Sequence, residues 1–398
     1  MRSLSFATIF AALSGFAIII LAAHILDKEV NEQFMAIWGL FFACTGLIDG
    51  LTQETTRAVS SQQETGKHGD ARPARFALLV GGALLLLVVS TSFLWIGRLV
   101  ASDHILAVAL VAIGLLSYAF QAMLSGSLSG LKLWNQYAGL LALDSGIRLA
   151  LVLVGWALGW GLEAFLLVTV VGALSWIAIV VCSARAKAAL RVITDVSSSV
   201  FARNALQAMC ATGATAVLIT GFPTAMKLTL SDAPETGVTM AGLMFAITLT
   251  RAPILVPLQR FQSALIVNFV ENRGQLFKAL IRPVAAVMAL GAIGAVAAWL
   301  IGPWILTTFF KPDFFVPGHI LAILTFASAG TGSLMITSTA AIANELHRLY
   351  IAGWVVASVF AFAILLLPLS LPVAVCSALL ISPIAGAVVQ VTGMKMAN

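Results

Sequence analysis

Charged residues are scarce in this sequence. Asp, Glu, Lys and Arg together make up 10% of its 398 residues, whereas soluble globular chains average about 25%. Hydrophobic residues make up 61%, and the mean hydropathy is +1.04. A chain with so little charge and so many apolar side chains lies far outside the range of soluble proteins, so the composition predicts an integral membrane protein.

The sequence also lacks the motifs of metal sites, disulfides and nucleotide-driven chemistry. It has four cysteines and five histidines, but no CxxC, no HExxH and no P-loop. No hydrophilic loop is long enough to form a sizeable extramembrane domain. We therefore expect no cofactor, no metal and no catalytic residue, and we expect that the chain is not an enzyme. The cysteines lie within or at the ends of apolar runs, at Cys44, Cys182, Cys210 and Cys376.

Long apolar runs are what the sequence has in abundance. A helix needs about 20 mainly apolar residues to cross a bilayer, and twelve such runs follow one another along the chain. The predicted fold class is therefore all-α, a polytopic membrane protein of twelve transmembrane helices. Their approximate limits are 4–25, 34–56, 76–97, 103–125, 136–158, 162–182, 201–225, 238–259, 279–302, 317–341, 348–368 and 371–393.

Basic residues fall mainly in alternate loops between these spans. If both termini are cytoplasmic, sixteen of the 22 Lys and Arg residues lie on the cytoplasmic side and four on the outer side. Because short loops rich in Lys and Arg stay inside, this bias predicts a multi-pass protein of a bacterial cytoplasmic membrane with both termini cytoplasmic. Topology and anionic lipid headgroups explain the net charge of +6, so no nucleic-acid partner is expected. The first apolar run is longer than the hydrophobic region of a typical signal peptide, and we expect it to be retained.

A hydrophilic segment with basic residues and a serine cluster divides the spans six and six. We predict a linker at 190–200 between an N-terminal lobe, 1–189, and a C-terminal lobe, 201–398. An internal repeat agrees with this division, because GLFFACT at Gly39–Thr45 matches GLMFAIT at Gly242–Thr248 at five of seven positions. Two halves of six spans would share one orientation, with a substrate path between them.

Two stretches of sequence resemble a known transporter superfamily. ILDKEVNEQFMAIWGLFFACTGLIDGLTQETTRAVS, Ile25–Ser60, and SGSLSGLKLWNQYAGLLALDSGIRLALVLVGWALGWG, Ser125–Gly161, are similar to polysaccharide-exporting members of the multidrug/oligosaccharidyl-lipid/polysaccharide (MOP) flippase superfamily. The resemblance implies a V-shaped bundle of two six-helix lobes. It also implies that the protein moves a lipid-linked sugar across the inner membrane by alternating access.

Three polar residues recur at steps of four towards the end of the second span. Asp49, Gln53 and Arg57 would share one helical face that runs towards the cytoplasm. An ionisable group in the membrane interior costs roughly 2.5 to 3.5 kcal/mol on insertion scales, and it usually faces protein or water. This face is a candidate for a hydrated substrate cleft. The alternative is hydrogen bonding between helices, with Arg57 as a cytoplasmic anchor.

Four more charged residues are candidates for the same cleft. Asp144 and Arg148 form an i,i+4 pair with the acid first, the better order for a helical ion pair; a self-neutralising pair packed between helices is the alternative. Arg251 lies deep in the eighth span without an acid nearby in sequence, and arginine binds phosphate oxygens in pairs. Arg203 opens the seventh span, where it either attracts an anionic headgroup or anchors the helix.

Glycine and proline mark places where the spans can bend, as alternating access requires. The hinge candidates are Gly15, Gly221, Pro223, Pro253 and Pro257. Glycines four residues apart, such as Gly46 with Gly50 and Gly126 with Gly130, are instead typical of close helix packing.

Three functions remain open on the sequence. The first is a flippase for a polyprenyl-(pyro)phosphate-linked oligosaccharide used in cell-envelope polysaccharide biosynthesis, with a glycan polymerase or glycosyltransferases as partners. The second is a multidrug or metabolite exporter coupled to H⁺ or Na⁺, with Asp49 and Asp144 as the coupling acids. The third is a membrane-embedded glycosyl- or acyltransferase, which the scattered histidines and short loops argue against.

Overall fold

The computed structural model describes residues 2–67, 69–231, 237–271 and 275–397, and within these ranges the chain is helical without strands. The first nine α-helices are α1 Arg2–Ile25, α2 Lys28–Thr65, α3 Pro73–Leu99, α4 His104–Gly130, α5 Trp134–Ala157, α6 Leu162–Val171, α7 Ser175–Cys182, α8 Ala184–Ala189 and α9 Ser198–Ile219. The next six are α10 Phe222–Leu230, α11 Met240–Glu271, α12 Leu276–Phe309, α13 Gly318–Ala343, α14 His347–Leu365 and α15 Leu371–Ala397.

The predicted all-α membrane fold is confirmed. Eleven helical segments in the described ranges are long and apolar enough to cross a membrane, with α6 and α7 counted as one segment, Leu162–Cys182. The bent pair α9 and α10 brings the number to twelve if it counts as one span. Each predicted span therefore corresponds to a helix or to an interrupted helix.

The chain divides into two compact units, Met1–Gly221 and Phe222–Asn398, which we call unit 1 and unit 2. This division comes later than the linker predicted at 190–200. The reason is that the linker is hydrogen-bonded to the loop before α3: the amide of Gly69 donates to the carbonyl oxygen of Thr194 (2.8 Å), and the amide of Ala71 donates to that of Val196 (3.2 Å). The helix after the linker, α9, also packs within unit 1.

Unit 1 is built around α2, which packs against α4 and α9. Gly50 lies against the backbone of Met209 on α9, so closely that a methyl group at this position would collide with it. Gly126 on α4 comes similarly close to α2 at Thr55. Small residues let helix backbones approach in a membrane, so both glycine pairs predicted to mark helix packing do so.

Unit 2 is built around α13, which packs against α11, α12 and α15. A buried polar cluster fastens α13 to the last two helices. The hydroxyl of Thr337 donates to Oε1 of Gln390 (2.5 Å), while Nε2 of Gln390 donates to the hydroxyl of Ser338 (2.8 Å) and to the carbonyl oxygen of Tyr350 (3.2 Å). By contrast, few residues of α12 are fully buried along its apolar length, as expected of a helix that packs on one side and faces lipid on the other.

The five hinge candidates lie in different local settings. The helix is interrupted at Thr220 and Gly221, and Pro223 lies in the first turn of α10. Pro253 and Pro257 lie inside α11, and Gly15 lies inside α1 with open space beside it. The role of these residues as hinges stays a prediction.

Replacement of Gly50, at the contact between α2 and α9, and of Gly15, in α1, is expected to have opposite effects on the stability of the protein. Gly50→Ala is expected to destabilise the protein by about 1–3 kcal/mol, because the added methyl group overpacks the contact with Met209. Gly15→Ala is the matched control. It meets open space and is expected to be neutral or to stabilise the helix by about 0.5–1 kcal/mol. Thermal unfolding of both variants in detergent measures the difference, and equal unfolding temperatures would contradict the close packing.

Candidate functional site

The sixth span of unit 1 is broken in its middle. A 3₁₀ turn, Gly172–Leu174, separates α6 from α7. Two carbonyl oxygens at the break accept hydrogen bonds from other helices: that of Thr169 from Nη1 of Arg148 (2.8 Å), and that of Ala173 from the hydroxyl of Ser117 (2.7 Å). Irregular backbone at membrane depth persists only where protein or water satisfies its polar groups. Side chains of α4 and α5 therefore stabilise this break.

The predicted pair of Asp144 and Arg148 is formed on α5. Nη2 of Arg148 lies 2.9 Å from Oδ1 of Asp144, and Nε donates to the same oxygen over 3.2 Å. Arg148 is only 3% exposed, and its guanidinium also lies over the ring of Phe42 at 4.9 Å. Gly172 lies so close to the pair that any side chain at that position would displace it. The pair is thus engaged within unit 1, and its role in a substrate cleft stays a prediction.

Asp49 lies beside this pair but has a different partner. The hydroxyl of Tyr118 on α4 donates to Oδ1 of Asp49 over 2.8 Å. Asp144 is near enough to repel the Asp49 carboxylate electrostatically. Asp49 is half-buried rather than fully enclosed. We call Asp49, Tyr118, Asp144, Arg148 and Thr169 the unit 1 polar cluster.

Arg57 belongs to a separate group at the end of α2 that is predicted to be cytoplasmic. Its guanidinium makes a bidentate pair with the buried Glu54, at 2.7 and 2.8 Å. Asn204 on α9 donates to Glu54 Oε1 (3.3 Å), and Asp195 lies 3.8 Å from Arg57. Gln53, one turn before Arg57, is exposed. Asp49, Gln53 and Arg57 share one helical face, but their side chains therefore lie in three different environments.

The two remaining arginine candidates differ in burial. Arg203 is exposed near the start of α9. Arg251 on α11 is only 7% exposed, and its guanidinium carbon lies 5.5 Å from the centre of the Phe222 ring on α10. Unit 2 thus carries a buried cationic side chain on a membrane-spanning helix.

Sequence reasoning missed three residues that hold these groups in place. Glu54 is three residues before Arg57, a spacing that helical ion pairs use as often as four. Tyr118 is one of only three tyrosines in the sequence, and it lies between Ser117 and Gln121 in a mainly apolar span. Asn204 follows Arg203 in the first turns of α9. Single polar residues in apolar spans were the available signal for Tyr118 and Asn204.

No family model matches this sequence. Curated relatives do. The uncharacterized protein Mb3654 of Mycobacterium bovis is 39% identical over 383 residues, which cover 96% of this chain and 88% of the relative. The uncharacterized protein Rv1510 of Mycobacterium tuberculosis is 37% identical over 391 residues, covering 98% and 90%. The chain belongs to the same family as these mycobacterial proteins.

Solved structures identify the fold of this family. A multidrug resistance transporter of the MATE family, in the MOP superfamily, superposes with a TM-score of 0.74 over 97% of this chain and 95% of its own, at 14% sequence identity. A MOP superfamily transporter from Pyrococcus furiosus superposes with a TM-score of 0.60 over 99% and 95%, at 15% identity. The chain therefore has the fold of MOP superfamily transporters.

The unit 1 polar cluster predicts a specific double-mutant result. Arg148→Met leaves the partly buried Asp144 carboxylate without its cation and should destabilise the protein by up to about 3–5 kcal/mol. Asp144→Leu combined with Arg148→Met removes both charges, so folding should recover largely, apart from the lost bond to the Thr169 carbonyl. Thermal unfolding and the yield of monodisperse protein measure this recovery. A double variant no more stable than Arg148→Met would contradict the pairing.

Proposed function

We propose that this protein exports a polyprenyl-(pyro)phosphate-linked oligosaccharide across the cytoplasmic membrane by alternating access, for cell-envelope polysaccharide biosynthesis. The observation that carries the proposal is the buried Arg251 on a membrane-spanning helix of a transporter fold. A buried arginine costs several kcal/mol in a membrane and usually marks a substrate or ion path. Its planar, permanently charged guanidinium suits the paired oxygens of a phosphate.

The other arginines of the candidate site are either paired with a carboxylate or exposed. Arg148 is engaged by Asp144 and the Thr169 carbonyl, and Arg57 is engaged bidentately by Glu54. A substrate phosphate would have to displace a carboxylate at either position. Arg203 is exposed, where it is suited to a first, weak contact with anionic headgroups.

An ion-coupled multidrug or metabolite exporter is the second candidate. It is favoured by the half-buried carboxylate of Asp49, which accepts a hydrogen bond from Tyr118 and lies near a second acid, Asp144. Structural neighbours include a multidrug resistance MATE transporter. The Pyrococcus furiosus neighbour is described by a binding pocket of reverse polarity that suggests a different function. The fold alone therefore does not choose between the two candidates, and a direct transport measurement has to decide.

Arg251→Ala is expected to slow glycan translocation at least tenfold without unfolding the protein, because it removes the cation that would bind phosphate. The assay uses proteoliposomes with a fluorescent polyprenyl-diphosphate-linked saccharide and a membrane-impermeant quencher. Arg203→Ala is the matched control, and we expect it to change the rate less than threefold. Wild-type translocation in folded Arg251→Ala would remove Arg251 from the substrate path. Active efflux of a cationic dye, without glycan translocation, would favour the second candidate.

Asp49→Asn is expected to abolish acceleration of transport by a proton or sodium gradient, because it removes a titratable carboxylate while the amide can still accept the Tyr118 hydrogen bond. Transport rates are compared with and without each gradient. Gln53→Ala, four residues away on the exposed surface of α2, is the control and should keep the gradient response. Unchanged gradient dependence in Asp49→Asn would exclude this residue as the coupling acid.

A further inference from the structure

Unit 2 contains an apolar groove between α11 and α12. Both helices pack against α13 but contact each other far less, and the space between them has a volume of about 350 Å³. Thr250 and Pro253 on α11 form one wall, Ala298 and Ile301 on α12 form the other, and Thr325 on α13 lies at the floor. We call this space the α11–α12 groove.

The chemistry of the groove fits a hydrocarbon. Its only polar lining side chains are two threonines, and both hydroxyls already donate to carbonyls of their own helices: Thr250 to Ala246 (2.8 Å) and Thr325 to Leu321 (2.8 Å). A polar ligand would lose its hydration without gaining a partner there, which is unfavourable. A sugar or a soluble metabolite is therefore a poor occupant.

The shape of the groove fits one long chain that enters from the bilayer. On α12 the lining residues extend from Leu290 to Leu306, about 24 Å at 1.5 Å per residue. Gly294 and Gly302 are among them, and they let α12 pack closely on α13 at Thr325 and Leu321. Leu290 is 55% exposed and Ile301 is 50% exposed. Because these residues lie in a membrane-spanning helix, the groove opens sideways to the acyl chains.

A cation lies at the same height as the groove. Thr250, Pro253 and Ile254 line it, and Arg251 belongs to the same turn of α11, within about 5 Å of each of them along the helix axis. Ordinary membrane phospholipids would contact the groove wherever α12 faces lipid. A lipid whose hydrocarbon chain lies in the groove and whose anionic headgroup lies at the level of Arg251 would use both the apolar wall and the cation.

We propose that the α11–α12 groove binds the polyprenyl chain of the transported lipid while its (pyro)phosphate lies near Arg251. This inference rests on the proposed function and deepens it, because it gives the substrate a second, apolar recognition site. With the termini on the predicted side, the groove lies in the outer half of the membrane. The groove would bind the polyprenyl chain while the headgroup moves into the outer half of the membrane.

Photolabelling of the full-length protein in proteoliposomes tests the groove. The probe is a polyprenyl diphosphate with a diazirine on its chain, and labelled peptides are identified by mass spectrometry. We expect labels concentrated on the groove segments of α11, α12 and α13, with much less on the exposed leucines of α3, which provide the background for lipid contact. Unlabelled polyprenyl diphosphate should compete, whereas equal amounts of phosphatidylglycerol should not.

Two matched variants make the result specific. Ala298→Phe fills the groove and should reduce groove labelling at least fivefold, whereas Ala292→Phe adds the same ring to an exposed position of α12 outside the groove and should not. If Ala298→Phe fails to fold, Ile301→Trp replaces it. Labelling spread evenly over the lipid-facing helices, competition by phosphatidylglycerol, or labelling unaffected by filling would overturn the inference.

The test separates this inference from the proposed function because labelling needs binding but no translocation. Normal glycan translocation without groove labelling would refute the groove and leave the exporter in place. Groove labelling without translocation would refute the exporter and leave a polyprenyl-diphosphate binding site.

Discussion

The guanidinium of Arg148 makes the contacts on which unit 1 most depends. It links a carboxylate on its own helix, Asp144, to a backbone carbonyl on another, Thr169, at the point where the sixth span is interrupted. In a membrane interior water cannot solvate the Arg148 guanidinium or the Thr169 carbonyl oxygen, so each of them needs a partner within the protein. The hydrogen bond between them provides that partner. Gly172 leaves the room that this arrangement requires. With α2 held against α4 and α9 by close glycine contacts, the helices around the break form one interlocked group.

The two units differ in the kinds of polar side chains that they bury. In unit 1 Arg148 is paired with Asp144 and Arg57 with Glu54, and the partly exposed Asp49 accepts a hydrogen bond from the Tyr118 hydroxyl. Unit 2 contains a buried network of neutral side chains around Gln390. Its buried charge, Arg251, lies on the helix that also lines an apolar groove. In the proposed function, unit 1 provides a stable scaffold with a coupling acid, and unit 2 recognises an anionic lipid.

The sequence was sufficient for the helices and for one buried pair. Apolar length defines spans, and the four-residue spacing brought Asp144 to Arg148 without any knowledge of neighbours. It was not sufficient for contacts between helices. Nothing local to α2 indicates that Tyr118 approaches Asp49 or that Asn204 approaches Glu54. The hydrogen bonds from Gly69 and Ala71 to the segment predicted as a linker, 190–200, are likewise contacts between parts of the chain that are distant in sequence, and the role of this segment as a linker between lobes stays a prediction.

A high-resolution electron cryomicroscopy structure of the protein in lipid nanodiscs, with and without the lipid-linked saccharide, tests the central claim that the Arg148 contact is a permanent structural element. The account predicts that Arg148 stays paired with Asp144 and within hydrogen-bond distance of the Thr169 carbonyl, about 3 Å, in both states. The 3₁₀ turn at Gly172–Leu174 should persist with it. A state in which Arg148 leaves the carbonyl and contacts the substrate phosphate would contradict the claim and make this arginine part of the transport path.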